Sequence, residues 1–174
     1  AVIASYAGSD DLSGELVVPA EVDGCRVLSV YLPNIPSGVT SLVIEEGIQQ
    51  IANCDSETLT SVTLPDTLLI LYNALDSCPL TEIEFPDSLY VLWGCANTLL
   101  TEVVIPENVI YVNGFSGTPL TSVTFEGDHV LAIGQIAFKR CNSLVDIEIP
   151  DSVLYIHPEA FTETPVTVPD DRIF

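Results

Sequence analysis

The stretch "LTSVTLPDTLLILYN", residues 59–73, contains two different patterns side by side. Its first part alternates apolar and polar residues up to Pro65, as expected of a short strand with one buried face. Its second part, Leu68 to Tyr72, is a continuous apolar run that shows no polar side. One unit therefore has two apolar segments, and the rest of the chain repeats this unit.

Six copies of the first segment follow one another at nearly constant spacing. They begin at Thr40, Thr60, Thr81, Thr101, Thr121 and Val145 and read "TSLVIEE", "TSVTLPD", "TEIEFPD", "TEVVIPE", "TSVTFEG" and "VDIEIPD". The second segment of each unit is again apolar and reads "IQQI", "LLIL", "LYVL", "VIYV", "VLAI" and "VLYI". A spacing of 20 to 24 residues is typical of solenoid repeats, in which stacked units bury a common core. We therefore expect each segment to pair in parallel with its equivalents above and below, about 4.7–4.9 Å away.

Composition excludes several classes of partner. The chain of 174 residues is 48% hydrophobic and has a formal net charge of -21, with only four Lys and Arg residues. A surface this acidic repels nucleic acid and anionic lipid. No apolar run approaches the ~20 residues that a membrane-spanning helix needs. We expect neither nucleic-acid binding nor membrane insertion.

The repeat resembles the BspA-type leucine-rich repeat family. The stretches "LTSVTLPDTL" (59–68), "IGQIAFKRCNSL" (133–144) and "IEIPDSVLYIHPEAF" (147–161) have the residues of its pattern. The resemblance covers about Tyr6 to Val168 and implies a strand-rich leucine-rich-repeat solenoid. That solenoid would be right-handed, elongated or gently curved, and would form a single domain over residues 1–174. Residues 6–39 would be its N-terminal cap unit.

The resemblance also implies where the repeat departs from regularity. Little helix is expected beyond turns at about 136–140 and 158–161. Residues 74–80, 93–99 and 113–119 have lost the family's Ala-Phe pair, so we expect shorter and less regular connections there. The final stretch "TPVTVPDD" (164–171) could supply one more partial strand.

No arrangement of residues indicates catalysis. Four of the five cysteines precede the first Leu of the next unit, an interior position in the family, and are predicted to be buried: Cys54, Cys78, Cys95 and Cys141. His129 and His157 occupy non-equivalent places, and neither a zinc-protease motif nor a nucleophile elbow is present. We therefore predict a protein that is not an enzyme and needs no cofactor and no metal.

The outward positions of the first segments are rich in carboxylates. These residues form the predicted acidic face: Glu82, Glu84, Glu102, Asp146 and Glu148. Such a face keeps an apolar solenoid in solution. It could also bind a basic partner, or weakly bind Ca²⁺, which takes carboxylate and carbonyl oxygens. No Ca²⁺-loop motif is present, which favours a partner over a metal ion.

The second segments are apolar at positions where the family has polar residues. We call the following residues the apolar strip: Leu69, Ile70, Tyr90, Val91, Ile110, Tyr111, Leu131, Leu154 and Tyr155. Two interpretations are open. A loop or a different register could cover the strip, or it could be an exposed interaction surface or a site of self-association, as large exposed apolar patches commonly are.

Protein recognition leads the functional hypotheses. The family resemblance implies an extracellular or cell-surface module of adhesion whose partner is an unknown protein of a host or of another cell. The alternatives are a structural spacer that presents another module and a low-affinity glycan-binding module. The only tryptophan, Trp93, is expected on a connecting segment, which ranks glycan binding low.

Overall fold

The computed structural model describes residues 2–5 and 12–168, which form a β-solenoid of about 7 turns. No helix occurs in these residues. The strands are β1 (Val2–Ser5), β2 (Ser13–Val18), β3 (Glu21–Val22), β4 (Cys25–Tyr31), β5 (Gly38–Ile44), β6 (Gln50–Ala52), β7 (Ser61–Thr63), β8 (Ile70–Ala74), β9 (Val91–Gly94), β10 (Glu102–Ile105), β11 (Tyr111–Asn113), β12 (Ser122–Phe125), β13 (Ala132–Ile133) and β14 (Tyr155–Ile156).

The second segments of the units form one continuous sheet along the molecule. Its strands follow the order β1-β4-β6-β8-β9-β11-β13-β14 and are all parallel, and β3 pairs with β4 in the antiparallel sense. One row of paired residues crosses it: Gln50, Ile70, Val91, Tyr111, Ala132 and Tyr155. The predicted parallel stacking is confirmed for this segment. We call this sheet the continuous sheet.

The first segments form two shorter ladders instead of one. Strands β2, β5 and β7 make a three-stranded parallel sheet, and β10 and β12 make a two-stranded one. The segments 81–85 and 145–149 form no strand, so the prediction of a strand in every unit is wrong for these two. The ladder is interrupted on both sides of segment 81–85 and again after β12.

The two segments without a strand are those with two outward carboxylates. Glu82 and Glu84 occupy both outward positions of segment 81–85, and Asp146 and Glu148 occupy both in segment 145–149. In β10 only Glu102 is charged, and all four residues of that strand pair with β12. Asp and Glu are depleted in strands, so two per segment disfavour a strand there. Like charges would lie directly opposite each other at one place, Glu82 against Glu102, which disfavours pairing between segment 81–85 and β10.

The core lies between the two sets of strands. Apolar residues of the first segments, such as Leu42 and Ile105, are buried in one cluster with those of the second, such as Leu71 and Val112. A single coil cannot bury both of its apolar segments, so each depends on its neighbours. The predicted burial of Cys54, Cys78, Cys95 and Cys141 is confirmed.

A column of phenylalanines extends the core through the C-terminal units. Phe115 and Phe138 are stacked with their ring centroids 5.9 Å apart, and Phe138 and Phe161 are stacked at 5.4 Å. Phe85 meets Phe115 edge-on at 6.4 Å. Both orientations suit the charge distribution of aromatic rings. The stacked rings thus connect four successive units through the interior.

The connections between units are regular, which corrects the expectation of irregularity for residues 74–80, 93–99 and 113–119. Their expected shortness agrees with unit lengths of 20 or 21 residues, against 24 for the unit that begins at Thr121. One residue in each of four coils has a left-handed backbone and donates its N–H to a carbonyl of the next coil. These hydrogen bonds join Ser77 to Ala96, Asn97 to Ser116, Gly117 to Lys139 and Arg140 to Thr162, at 2.7 to 2.9 Å. The turns therefore stack as a hydrogen-bonded column of their own, beside the continuous sheet and the two shorter ladders.

The expected turns at 136–140 and 158–161 are hydrogen-bonded turns without helix, as in the bond from the Ala137 N–H to the Gly134 carbonyl.

Residues 164–168 form no strand, and the rest of the expected partial strand lies outside the described residues. The same holds for residues 6–11 of the predicted cap unit.

Stacking requires a close approach of the backbone at Gly114. Its φ is 127°, and a Cβ added there would collide with the backbone nitrogen and oxygen of Gly94 in the preceding coil. Gly24 also has a positive φ, 75°, but an added Cβ would meet nothing within 4 Å. We expect Gly24→Ala to lower the free energy of unfolding by about 1 to 2 kcal/mol, because only backbone strain is added.

We expect Gly114→Ala to cost more than about 3 kcal/mol, because two coils must also separate. Urea denaturation followed by circular dichroism measures both variants. Equal losses would contradict the close approach of the two coils.

Candidate functional site

The apolar strip consists of residues in the strands of the continuous sheet and of residues that come directly before those strands. Leu69, Tyr90, Leu131, Leu154 and Tyr155 are exposed, and the other members are half-buried: Ile70, Val91, Ile110 and Tyr111. No loop among the described residues covers them. Four strip residues belong to one row of paired residues across the sheet: Ile70, Val91, Tyr111 and Tyr155. The other five each immediately precede a residue of that row, and main-chain hydrogen bonds join them from coil to coil: Leu69, Tyr90, Ile110, Leu131 and Leu154.

Two aromatic residues that were not predicted to belong to the strip lie beside it. Tyr72 and Trp93 are paired across β8 and β9, and their ring centroids are 4.8 Å apart at an interplanar angle of 62°. Trp93 also meets Tyr111, with centroids 6.3 Å apart. The expectation that Trp93 lies on a connecting segment is wrong, because β9 extends two residues beyond the apolar quartet. If the alternation of outward and buried residues is continued past the buried Leu71, Tyr72 is predicted to face outward with the strip.

The outer surface of the continuous sheet contains no charge along most of its length. Strands β6, β8, β9, β11, β13 and β14 contain no Asp, Glu, Lys or Arg, although the chain has 25 acidic residues. Partial burial raises the pKa of Tyr111, and the nearby Tyr155 and Tyr72 act in the same direction. The surface is therefore uncharged at neutral pH.

The acidic face lies on the other set of segments, and all five of its carboxylates are exposed. Only Glu102 is in a strand. Glu82, Glu84, Asp146 and Glu148 are in segments 81–85 and 145–149, which form no strand, so the structure does not align the five side chains in one ladder. Both ion pairs found among the described residues lie elsewhere, Lys139 with Glu159 at 2.8 Å and Arg140 with Glu163 at 3.3 Å.

Open clefts lie where the pairing of the first segments is interrupted. The cleft between β7 and segment 82–88 has two parts, with volumes of about 550 Å³ at one end and about 410 Å³ at the other. A third, of about 440 Å³, lies between β12 and segment 148–151. Carboxylates line each cleft, so these are solvent-filled acidic grooves rather than dry pockets for chemistry.

The described residues offer no cluster of metal-ligating side chains, and their buried thiols are protonated. They contain no group of three or more His, Cys, Asp and Glu side chains positioned to hold a metal ion. Burial raises the pKa of Cys78 to about 12 and raises the pKa of Cys54, Cys95 and Cys141 as well. A thiol is nucleophilic as the thiolate, so these four are inert at neutral pH.

Two carboxylates connect successive turns. Asp55 Oδ1 accepts a hydrogen bond from the Asp76 N–H at 3.0 Å, and Asp76 Oδ1 accepts one from the Ala96 N–H at 2.8 Å. Burial raises the pKa of Asp55 and raises that of Asp76 to about 6, although the Ala96 hydrogen bond lowers it. These carboxylates help to stack the turns and pay a desolvation penalty for it.

Comparison with known families identifies the repeat. The model of the BspA type leucine rich repeat region matches the chain in 6 copies, over residues 34–126 and 108–168. The chain belongs to the BspA-type leucine-rich repeat family. Leucine-rich-repeat modules are generally protein-binding and typically non-enzymatic. No helix of the described residues in this BspA-type protein is long and apolar enough to cross a bilayer.

One solved structure has the same repeat fold over nearly the whole chain. The crystal structure of the T. pallidum leucine-rich repeat protein aligns with a TM-score of 0.64 at 19% identity and covers 98% of this chain and 84% of that one. A leucine-rich repeat protein of Bacteroides ovatus ATCC 8483 is also 19% identical, with a TM-score of 0.29 and coverage of 83% and 68%. No curated protein matches the chain significantly. The predicted leucine-rich-repeat solenoid is confirmed.

Thiol labelling tests the burial of the cysteines. Cys25 is exposed, whereas the other four cysteines are buried. We expect iodoacetamide at pH 8 to label Cys25 of the folded protein alone, and all five cysteines in denaturant, as counted by mass spectrometry. Rapid labelling of Cys54, Cys78, Cys95 or Cys141 in the folded protein would contradict the buried column.

The raised pKa of Asp76 predicts a pH-dependent stability. Because the folded protein binds this proton more tightly than the unfolded chain, whose carboxyl titrates near 3.8, stability falls as pH rises through about 6. Asp76→Asn keeps an oxygen that accepts the Ala96 hydrogen bond and removes the charge. It should stabilise the fold by about 1 kcal/mol at pH 8, after allowance for partial exposure, and much less at pH 4.

Thermal unfolding at both pH values measures this effect. Asp128→Asn, at an exposed position, removes the same formal charge and is the control for net repulsion. If the two variants respond to pH alike, the stabilisation by Asp76→Asn does not come from its burial.

Proposed function

We propose that this BspA-type repeat protein is a non-enzymatic recognition module that binds another protein, outside or on the surface of a cell, through the apolar strip together with Tyr72 and Trp93. The observation that supports this proposal most is the uncharged, exposed surface of the continuous sheet in a chain of net charge -21. Members of the family are often secreted or attached to the cell surface. Adhesion is the role that fits such a module.

The chemistry of the strip suits the centre of a protein interface. Interface cores are depleted of charged residues and enriched in Tyr and Trp, which combine contact area with a polar tip. Tyr90, Tyr155 and Tyr72 are exposed on this surface. Five strands at the spacing of a parallel sheet, β8 to β14, span roughly 20 Å. That length is enough for the buried centre of an interface, with the acidic turns of the solenoid at its rim.

The net charge favours a different protein over a second copy of this chain. Two copies would each bring a charge of -21 to the interface, and like charges disfavour association over the distance of a Debye length. A partner with Lys and Arg around an apolar centre would be attracted by the same rim. We therefore propose a basic extracellular protein as the partner, and self-association is the less favoured outcome.

The ring geometry favours protein over glycan. A sugar ring stacks on a flat aromatic face. Trp93 is tilted by 62° against Tyr72 and by 63° against Tyr111, so the three rings do not form a common plane. Trp93 is also half-buried between its neighbours. These rings instead suit the anchors of a protein interface, which pack into pockets of the partner.

Two exposed strip residues provide the test. Tyr90→Ser and Leu154→Ser together remove side chains that are 52% and 71% exposed, so the fold should be unaffected. We expect surface plasmon resonance against a panel of purified basic extracellular proteins to find a member that binds the wild type. The double variant should bind that member at least about tenfold more weakly, as for the loss of central interface residues.

A matched control is available on the same chain. Leu99→Ser and Val145→Ser remove apolar side chains that are 52% and 72% exposed but lie outside the strip. This double variant should bind like the wild type. A ligand that is lost equally from both double variants, or from neither, would argue against the strip. If no panel member binds the wild type, the spacer hypothesis gains ground.

A further inference from the structure

The interrupted ladder leaves one side of β7 available for pairing. This strand pairs with β5 on one side, in the register Ser41 to Ser61, Leu42 to Val62 and Val43 to Thr63. On its other side lies segment 82–88, and within the described part of the chain no backbone hydrogen bond joins the two. A strand edge of this kind can pair with a strand from another molecule.

The same two coils remain stacked on the opposite side of the solenoid. There β8 and β9 are paired through Ile70 and Val91, Leu71 and Leu92, and Tyr72 and Trp93. The two coils are therefore paired through β8 and β9 in the continuous sheet, but their first segments, β7 and segment 82–88, are not paired with each other. The space between them is the cleft of about 550 Å³ at one end and about 410 Å³ at the other. We call it the acidic cleft.

The lining of the acidic cleft matches an extended peptide with alternating side chains. Its inner part is formed by Val62, Leu64 and Ile83, which are half-buried. Its outer part has four exposed carboxylates, on Asp66, Glu82, Glu84 and Asp87. Neither ion pair of the described residues involves these four. A bound strand would turn apolar residues to the inner part and cationic residues to the carboxylates.

We propose that the acidic cleft binds a short extended segment of a basic polypeptide as an added β-strand beside β7. The main-chain N–H and C=O groups of that segment would pair with the free edge of β7, as in other cases of strand addition. Its Lys or Arg residues would lie against Glu82 and Glu84, and its alternate apolar residues against Val62 and Ile83. This site is separate from the apolar strip and does not depend on the function proposed there.

The unit that follows shows what the cleft lacks. In β10, where Val104 takes the place corresponding to Glu84, all four residues pair with β12 and the ladder is closed. The carboxylates of Glu82 and Glu84 lie where the ladder is open, and they would attract an incoming strand of opposite charge. Charge complementarity is the reason that a basic segment is the occupant.

An N-acetylated octapeptide that alternates Lys with Val is the probe. We expect the wild-type protein to bind it, with fluorescence polarisation of a labelled copy as the measurement, and hydrogen exchange to slow at the amides of β7. Glu82→Gln with Glu84→Gln should weaken binding by about tenfold or more, because two charge-assisted contacts are lost. Glu15→Gln with Glu57→Gln removes two charges from exposed positions outside the cleft and should weaken it far less.

A second peptide separates strand addition from simple charge attraction. N-methylation of its alternate residues, on the side that faces β7, removes the main-chain donors and leaves every charge in place. We expect this peptide to lose most of the affinity. If it binds as tightly as the unmethylated probe, or if the two double variants weaken binding equally, the attraction is non-specific and the proposal is wrong. The absence of any binding by the wild type would also overturn it.

Discussion

Hydrogen bonding between coils is the constraint on which the structure depends. No unit can satisfy its own extended backbone or bury its own two apolar segments, so both requirements are met by the units above and below. The continuous sheet and the column of left-handed turns meet them at nearly every level. Asp55 and Asp76 extend the same stacking with side-chain oxygens, at the expense of partial desolvation. Among the described residues, strand pairing is interrupted on the side of the first segments, at 81–85 and at 145–149.

The apolar pattern does not account for that interruption. Segment 81–85 has the apolar residues of a strand, Ile83 and Phe85, as regularly as β10 has Val103 and Ile105. The difference lies in the outward positions, where segment 81–85 has two carboxylates and β10 has one. Because the continuous sheet holds the same coils together, the ladder can open locally without loss of the fold. The two sides of the solenoid thus differ: the continuous sheet stabilises the stack of coils, and the opposite side has the exposed strand edge of β7.

Sequence periodicity predicted the repeat, the parallel stacking and the buried cysteines, because each of these depends on apolar spacing alone. It failed at segments 81–85 and 145–149, which have the apolar spacing of a strand but two carboxylates each and form no strand. It also failed at the turns: Asn97 and Gly117 readily adopt a left-handed backbone, but Ser77 and Arg140 give no such signal. Trp93 was misplaced because the end of a strand depends on its neighbours. The pairing of Ile70, Val91 and Tyr111 across the continuous sheet followed from the repeat spacing, whereas the exposure of each strip residue depends on the packing around it.

The two surfaces would discriminate between partners by different means. The apolar strip lacks charge, so its contribution to binding comes from area removed from water and is insensitive to salt. The acidic cleft offers main-chain pairing and carboxylates, so its contribution should fall as ionic strength rises. A partner that engaged both would need an apolar patch and a basic extended segment at a distance set by the solenoid. Two weak contacts at fixed separation bind more selectively than either alone, which suits a module whose repeats are otherwise nearly interchangeable.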